Sequence, residues 1–570
     1  MLILKNAAAR AICDAAKTLF GETPLTVADV TEMLEYPPDE TMGDLALPCF
    51  KLSRALRRSP VEIAARLAET VQSEDFAEAS AVNGYLNLRL DEKRLYARVV
   101  GEILTKGEGY GSPDIGKGKT VVLDYSSPNV AKPFHIGHLG TTVIGHSLKL
   151  LHEFAGYTCV GINHLGDWGT QFGKLIVAYR KWGKKEDVEA KEIDELVRLY
   201  VKFHAEAELD PSLNDEARAE FTKLEAHDEE NLALWRWFIE ISLREYEKTY
   251  KMLGISFDSY AGESFYTDKM PREIERLREK GLLEIDDGAS VVNLDAYGLP
   301  VCLILKRDGS TLYPTRDIAA AAYRKETYDF DKCIYVTSAG QSLHFAQWFK
   351  VVDLMGYDFA DKLVHVPYGT VSINGEKLAT RTGNVILLKD LFREAVEKVT
   401  GIMEEKNPAL RGRSDIAEAV GVGAIVFYYL SNNRMRDINF MMEDALSFDG
   451  NTGPYAQYTY ARTASILERA EAVDAPTDIK ALTAEESALV KTLAAFPERV
   501  LQALREYEPS VVTRFILDLA AAFNRFYHEC KILNCEDAEI RKSRVALTRA
   551  TNTVLGRALT LICMQKTEKI

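Results

Sequence analysis

Apolar and polar positions divide the 570-residue chain into three regimes. Up to about residue 112, apolar residues recur at helical spacing, interrupted by the strand-like AVNGYLNLRL (81–90) and closed by the glycine-rich GEGYGSPDIGKGK (107–119). From Lys119 to about Leu388, short β-branched runs alternate with amphipathic stretches: KTVVLDY, YTCVGIN, VCLIL, DKCIYVTS and KLVHVPYGTVSI. Such alternation predicts a parallel α/β sheet. Between about Lys184 and Lys280 it gives way to a charged, helix-periodic block opening KEDVEAKEIDELVRLYVKFHAEAEL, which predicts an inserted helical subdomain. From about Asp390 the spacing is helical almost throughout. The expected architecture is a small α+β N-terminal domain (1–112), a parallel-sheet α/β domain (113–390, insertion about 184–280) and an all-α helical bundle (391–570).

Composition narrows the setting. Apolar residues make up 47% and charged residues 27%, as in ordinary globular proteins. No apolar run approaches the ~20 residues of a membrane span. The N-terminal MLILKNAAARAICDAAKTLFGE carries Asp14 and Lys17 where a signal peptide needs its apolar core, so a cytoplasmic location is expected. The net charge of −15 argues against sequence-independent coating of nucleic acid, while leaving room for a specific RNA met by local basic faces. Eight cysteines without a Cys-x-x-Cys pair favour neither a disulfide framework nor a zinc site. His528, Cys530 and Cys535 lack ligand spacing and sit in the helical AAFNRFYHECKIL, so the protein is expected to hold no metal of its own.

Candidate chemistry concentrates after KTVVLDY. In SSPNVAKPFHIGHLG (126–140), Pro128 and Pro133 stiffen the entry to a helix that opens on His135-Ile136-Gly137-His138. Ligands of open parallel sheets bind beyond the carboxyl ends of the strands, and a helix N-terminus favours anions. Two imidazoles one turn apart add donors, and Gly137 leaves room for a flat base; together they suit a nucleoside triphosphate. The competing reading is a pair of capping histidines. A second loop, VSINGEKLATRTGNVILLKDL (371–391), offers Lys377, Thr380, Arg381 and Gly383 to close over the same phosphates. The near-Walker segment GSPDIGK (111–117) is rejected, because Gly118 replaces the metal-binding hydroxyl and the segment precedes a strand.

SSPNVAKPFHIGH, NHLGDWGTQFGKL (163–175), LYPTRDIAAA (312–321) and FDGNTGPYAQYTYAR (448–462), in that order, resemble the class I aminoacyl-tRNA synthetases, and specifically the arginyl-tRNA synthetase family. The resemblance extends over nearly the whole chain, including TMGDLALPCF near its start. It implies a Rossmann-type catalytic domain, ATP and L-arginine as substrates, magnesium with the ATP, tRNA(Arg) as acceptor and a monomeric enzyme.

The resemblance also assigns residues. Asp124, Asn129, His164, Tyr313, Asp317 and Gln341 form the arginine pocket, whose carboxylates suit a guanidinium that never deprotonates. Asp317 is alternatively an N-cap of a helix starting at Ile318, and Tyr313 and His164 alternatively wall packing. Lys132, His135, Gly137, His138, Lys377, Thr380 and Arg381 serve ATP, Lys132 standing in for the second lysine missing from the later loop. Gly140 departs from the arginine common after HIGHL, and the tail TLICMQKTEKI lacks a terminal methionine. Tyr455, Tyr458, Arg462 and Tyr527 are candidates for stacking on anticodon bases, against a core reading, and Arg541, Lys542, Arg544 and Arg549 for the tRNA backbone. Asn83, Tyr85 and Asn87 are candidates for the tRNA elbow. Two alternatives remain: a small-molecule nucleotidylyltransferase, and a non-catalytic RNA-binding paralogue.

Overall fold

The computed structural model describes residues 2–377, 386–471 and 479–570. In the N-terminal region, strands β1 (Leu45–Pro48), β2 (Phe76–Val82) and β3 (Tyr85–Leu90) form an antiparallel sheet of order β1-β3-β2. The β2–β3 hairpin turns through Asn83-Gly84, both at positive φ (49° and 82°), the conformation a two-residue hairpin loop demands. Asn83 is thereby exposed at the tip, whereas Asn87 is buried at 4% exposure. Asn87 is thus the elbow candidate least able to meet a partner.

Next come β4 (Thr120–Asp124), β5 (Thr158–Ile162), the short β6 (Leu283–Asp286), β7 (Ala289–Val292) and β8 (Cys302–Leu305), then β9 (Lys332–Ser338) and β10 (Leu363–Tyr368). Four of them make the parallel sheet, in order β10-β9-β4-β5. The chain leaves β4 toward β5 on one side and returns as β9 on the other, so a crevice opens beyond the carboxyl end of β4. VCLIL, expected in this sheet, instead supplies β8 of a separate antiparallel sheet, β6-β7-β8. The reason is local. Asp287-Gly288 form a two-residue hairpin at positive φ, which pairs strands antiparallel, and β8 leaves Leu303 in solvent, unlike a strand covered on both faces. The VSI of KLVHVPYGTVSI likewise leaves the main sheet and pairs with Ile438–Phe440.

The charged insertion folds into helices from Lys185–Lys191 to Glu229–Leu253 around a core that includes Leu196, Leu199, Phe203 and Phe238. The chain then returns along the sheet, Asn163 N–H donating to Ser259 O (2.9 Å) and Glu263 N–H to Leu165 O (2.9 Å). The C-terminal region is the expected helical bundle. It packs on the first domain through Tyr96 Oη–Ser543 O (2.5 Å) and Lys5–Glu498 (2.9 Å), and on the helix Leu139–Phe154 through Ser147 Oγ–Leu561 O (2.7 Å). A single apolar core therefore runs from the N-terminal domain through one face of the sheet into the bundle. The rejected Walker-like segment has a packing role: a Cβ on Gly111 would strike the Phe496 ring at 2.5 Å. Among the described residues, no helix is long and apolar enough to cross a membrane and no group of three or more His, Cys, Asp or Glu is placed to hold a metal; Cys530 lies buried beside Thr483.

Candidate active site

Beyond β4 the backbone is held in an unusual path. Ser126, Ser127 and Ala131 all have positive φ (71°, 48° and 58°), a conformation side chains avoid unless surroundings enforce it. The enforcement is visible. Ser126 N–H donates to Thr141 Oγ1 (3.0 Å), Ser127 N–H to Asn163 Oδ1 (3.1 Å) and Ala131 N–H to Ser242 Oγ (3.0 Å). Tyr246, from the long helix of the insertion, donates to Asn129 O and Lys132 O (2.8 and 2.7 Å). Asn129 pairs across to Gly166, where any Cβ would overlap the Asn129 amide, so that glycine is required for the approach.

The two histidines cap each other's turn. His135 Nδ1 accepts from Gly137 N–H (3.1 Å) and His138 Nδ1 from His135 N–H (3.2 Å), with ring centroids 4.0 Å apart. An Nδ1 that accepts carries no proton, which puts the proton of each neutral ring on Nε2. Burial, reinforced by Lys132, lowers the His135 pKa to about 4; burial and the neighbouring His135 lower that of His138 to about 3. At neutral pH the pair is therefore two uncharged Nε2–H donors. The capping and ligand readings are compatible, because they use opposite ring nitrogens. Lys132 has no carboxylate partner among the described residues. Gly140 has a steric explanation: a side chain there would overlap the Tyr429 hydroxyl. Thr380, Arg381 and Gly383 lie outside the described residues, as does the side chain of Lys377, whose backbone pairs with Ser372.

A cavity of about 550 Å³ opens beside His138, and Asp124, Asn129, His164, Tyr313, Asp317 and Gln341 all line it. These six candidates, up to 217 positions apart in sequence, meet here. The helix Tyr313–Tyr328 starts before Asp317, so Asp317 lies within it and caps nothing. His344 Nε2 sits 2.6 Å from Asp317 Oδ2. Tyr313 stands at the open end, 66% exposed. His164 Nδ1 is 3.2 Å from Ala261 O, and burial lowers its pKa.

Sequence reasoning missed two charged members of this cavity. Glu263, on the return from the insertion, pairs with Arg316 (2.8 Å), and burial raises its pKa to about 7 against the opposing pull of Arg316. Arg324, 1% exposed, lies 2.8 Å from Asp124. An arginine in the apolar helical run IAAAAYRKE was a legible signal; a lone glutamate in AGESFY was not. When Glu263 is ionised, the carboxylates of Asp124, Glu263 and Asp317 outnumber the guanidiniums of Arg316 and Arg324 by one.

Residues 99–442 match the family described as tRNA synthetases class I (R), catalytic domain; 456–570 match the DALR anticodon binding domain and 4–90 the arginyl tRNA synthetase N terminal domain. The chain belongs to the arginyl-tRNA synthetase family. It is 50% identical to the arginine–tRNA ligase of Clostridioides difficile, over 96% of this chain and 97% of that protein. It is 49% identical to that of Alkaliphilus metalliredigens, over 95% and 96%. The Thermus thermophilus arginyl-tRNA synthetase shares its fold, with a TM-score of 0.82 over all of both chains at 24% identity.

The bundle of this family member carries a second candidate site. Arg462 lies between the rings of Tyr458 and Tyr527, 4.9 Å from each centroid, and bonds Asn524, which donates to Tyr455 Oη (2.9 Å). Tyr458 and Tyr527 are about two-fifths exposed, so neither is a core aromatic. The late basic helix is less available: Arg544 is spent on the buried Glu486 (2.7 Å), Lys542 pairs with Glu539 and Arg541 bonds Cys535 O. In the first domain, Tyr85 packs edge-on against the exposed Phe50, centroids 5.5 Å apart.

Proposed function

We propose that this chain catalyses arginyl-tRNA formation. The arginine carboxylate attacks the α-phosphorus of ATP, the bond from that phosphorus to the bridging oxygen of the β-phosphate breaks, and pyrophosphate leaves. A hydroxyl of the 3′-terminal adenosine of tRNA(Arg) then attacks the carbonyl carbon of arginyl-adenylate and expels AMP. No residue need form a covalent intermediate; catalysis is positioning and charge stabilisation. Magnesium bound with ATP shares the phosphate charge, and Lys132, Lys377 and Arg381 supply cations from the protein.

The observation that carries the reading is the pair of Nε2–H donors, at His135 and His138, beside a cavity lined by the carboxylates of Asp124, Glu263 and Asp317. Asp124 and Asp317 serve the guanidinium of the amino acid, whose planar fork favours paired carboxylates over a lysine-like point charge, with Glu263 on the same cavity wall. Tyr455, Tyr458, Arg462 and Tyr527 meet the anticodon, Asn83 and Tyr85 the elbow, and the enzyme works as a cytoplasmic monomer.

The test is arginine-dependent ATP–pyrophosphate exchange, with and without cognate tRNA, for the wild type and Asp317→Ala. Exchange by the wild type and its loss in the variant are expected. A folded wild type without exchange in either condition overturns the reading in favour of a non-catalytic paralogue.

A further inference from the structure

The loop that follows β4 hangs on three separate supports. Residues 128–130 are fixed from one side, Gly166 N–H donating to Pro128 O (3.1 Å) and Val130 N–H to Gly166 O (3.1 Å). The histidine turn is fixed from another, Leu388 N–H donating to Phe134 O (2.9 Å) and Ile136 N–H to Ile386 O (3.3 Å). Residues 131–133 lie between these anchors, and their support comes from the insertion. Its long helix, Glu229–Leu253, carries Ser242, Tyr246 and Tyr250 at i, i+4 and i+8, all buried on one face. Ser242 Oγ accepts from Ala131 N–H (3.0 Å), and the single hydroxyl of Tyr246 reaches both Asn129 O (2.8 Å) and Lys132 O (2.7 Å). Further back, Tyr250 Oη meets Ser126 Oγ (2.7 Å).

Little else stabilises the shape of this segment. Ala131 sits at a φ of 58°, Pro133 has no N–H to donate, and among the described residues Tyr246 is the donor to Lys132 O. The segment nevertheless sets the direction of Lys132. The Lys132 charge lies close enough to His135 and His138 to oppose protonation of both rings, so the cation and the two Nε2–H donors share one neighbourhood. Asn129 is in a different position. The two bonds to Gly166 flank it, and it keeps its place without the Tyr246 hydroxyl.

We propose that Tyr246 is a positioning residue for ATP: its hydroxyl, on the inserted helix, fixes the backbone of residues 131–133 so that Lys132 is held ready for the triphosphate, while the amino-acid end of the site is set without it. This rests on the reading above that the chain activates arginine with ATP.

The test is ATP–pyrophosphate exchange, with arginine and cognate tRNA, by the full-length wild type, Tyr246→Phe, Lys132→Ala and the double variant. Phenylalanine keeps the ring that packs on Phe134, centroids 5.3 Å apart, and removes only the donor. Tyr246→Phe lowers kcat/KM for ATP about tenfold or more, as expected when a phosphate-binding cation is misplaced, while the KM for arginine stays within about twofold. Competitive inhibition by adenosine, which has no phosphates, is equal in wild type and variant. The double variant is no worse than Lys132→Ala, because Tyr246 acts through Lys132.

A folded Tyr246→Phe with unchanged kcat/KM for ATP overturns the proposal, whatever its melting temperature. So does an equal rise in the KM for arginine, a parallel weakening of adenosine, a Lys132→Ala that exchanges as well as the wild type, or effects that multiply in the double variant. Should Tyr246→Phe fail to fold, Ser242→Ala decides, since it removes the acceptor of the Ala131 N–H: a loss confined to ATP supports the proposal and no change overturns it. A wild type without exchange overturns the preceding section; an active wild type with an unaffected Tyr246→Phe overturns only this inference.

Discussion

The candidate substrate cavity and the tyrosine–arginine face of the bundle both use arginine beside tyrosine, to opposite ends. In the cavity, Arg324 is sealed between Tyr266 and Tyr335 and its charge is cancelled by Asp124. On the bundle, Arg462 lies between two exposed rings and makes no ion pair with a carboxylate among the described residues. A small charged substrate must be enclosed, and every charge in the enclosure needs a partner, because desolvation there is costly. A nucleic acid brings flat bases and phosphates to an open surface, where stacking and an available cation suffice. Burial decides which task an Arg–Tyr group can perform.

The comparison is broken most sharply at His138. An asparagine there keeps an acceptor near the Nδ1 position and so the cap, but loses the Nε2–H donor. His138→Asn is expected to unfold at nearly the wild-type temperature while kcat for exchange falls by about 10²–10³-fold, as for other lost transition-state donors. A comparable loss of thermal stability would show that the cap, rather than the donor, had been removed.

On the bundle, Tyr458→Ala with Arg462→Ala should raise the KM for tRNA by about 10–100-fold, in keeping with ~1–3 kcal/mol per stacked base. Exchange kinetics for arginine and ATP at saturating tRNA should not move. A change in the arginine KM there would erase the contrast between the two regions.

The smallest expected effect is a pH dependence. Glu263 titrates near 7 because of burial, and only its ionised form attracts a guanidinium. The kcat/KM for arginine should therefore rise by a few-fold from pH 6 to 8 with an inflection near 7, which Glu263→Gln removes. The linked stability has the opposite sign. The folded state holds this proton above the unfolded value of 4.5, so stability falls as pH rises from about 4.5 to 7. His135 and His138, titrating near 4 and 3, add no step in the pH 6–8 range.

Much of this was legible locally. KTVVLDY and DKCIYVTS read as strands of a parallel sheet because β-branched runs alternate there with amphipathic stretches, and His135-Ile136-Gly137-His138 read as a phosphate-facing helix start because two imidazoles and a glycine follow a strand's carboxyl end. VCLIL was legible as a strand but not in its partnership, since pairing depends on the Asp287-Gly288 turn that aims the hairpin. Asn87 read as a candidate for the tRNA elbow, and its burial at 4% exposure comes from packing that its place in the strand does not show.

By itself, then, the sequence determined the order of elements, the family and the residue types proposed to meet arginine and ATP, because these depend on short-range periodicity and contiguous motifs. Only the tertiary structure decided how the charges are paired. Glu263 reaches the cavity through a return of chain bonded to Asn163 and Leu165, and Arg324 reaches Asp124 across 200 residues of sequence. Electrostatic compensation acts through space at a few ångströms, a distance that spacing along a chain does not record.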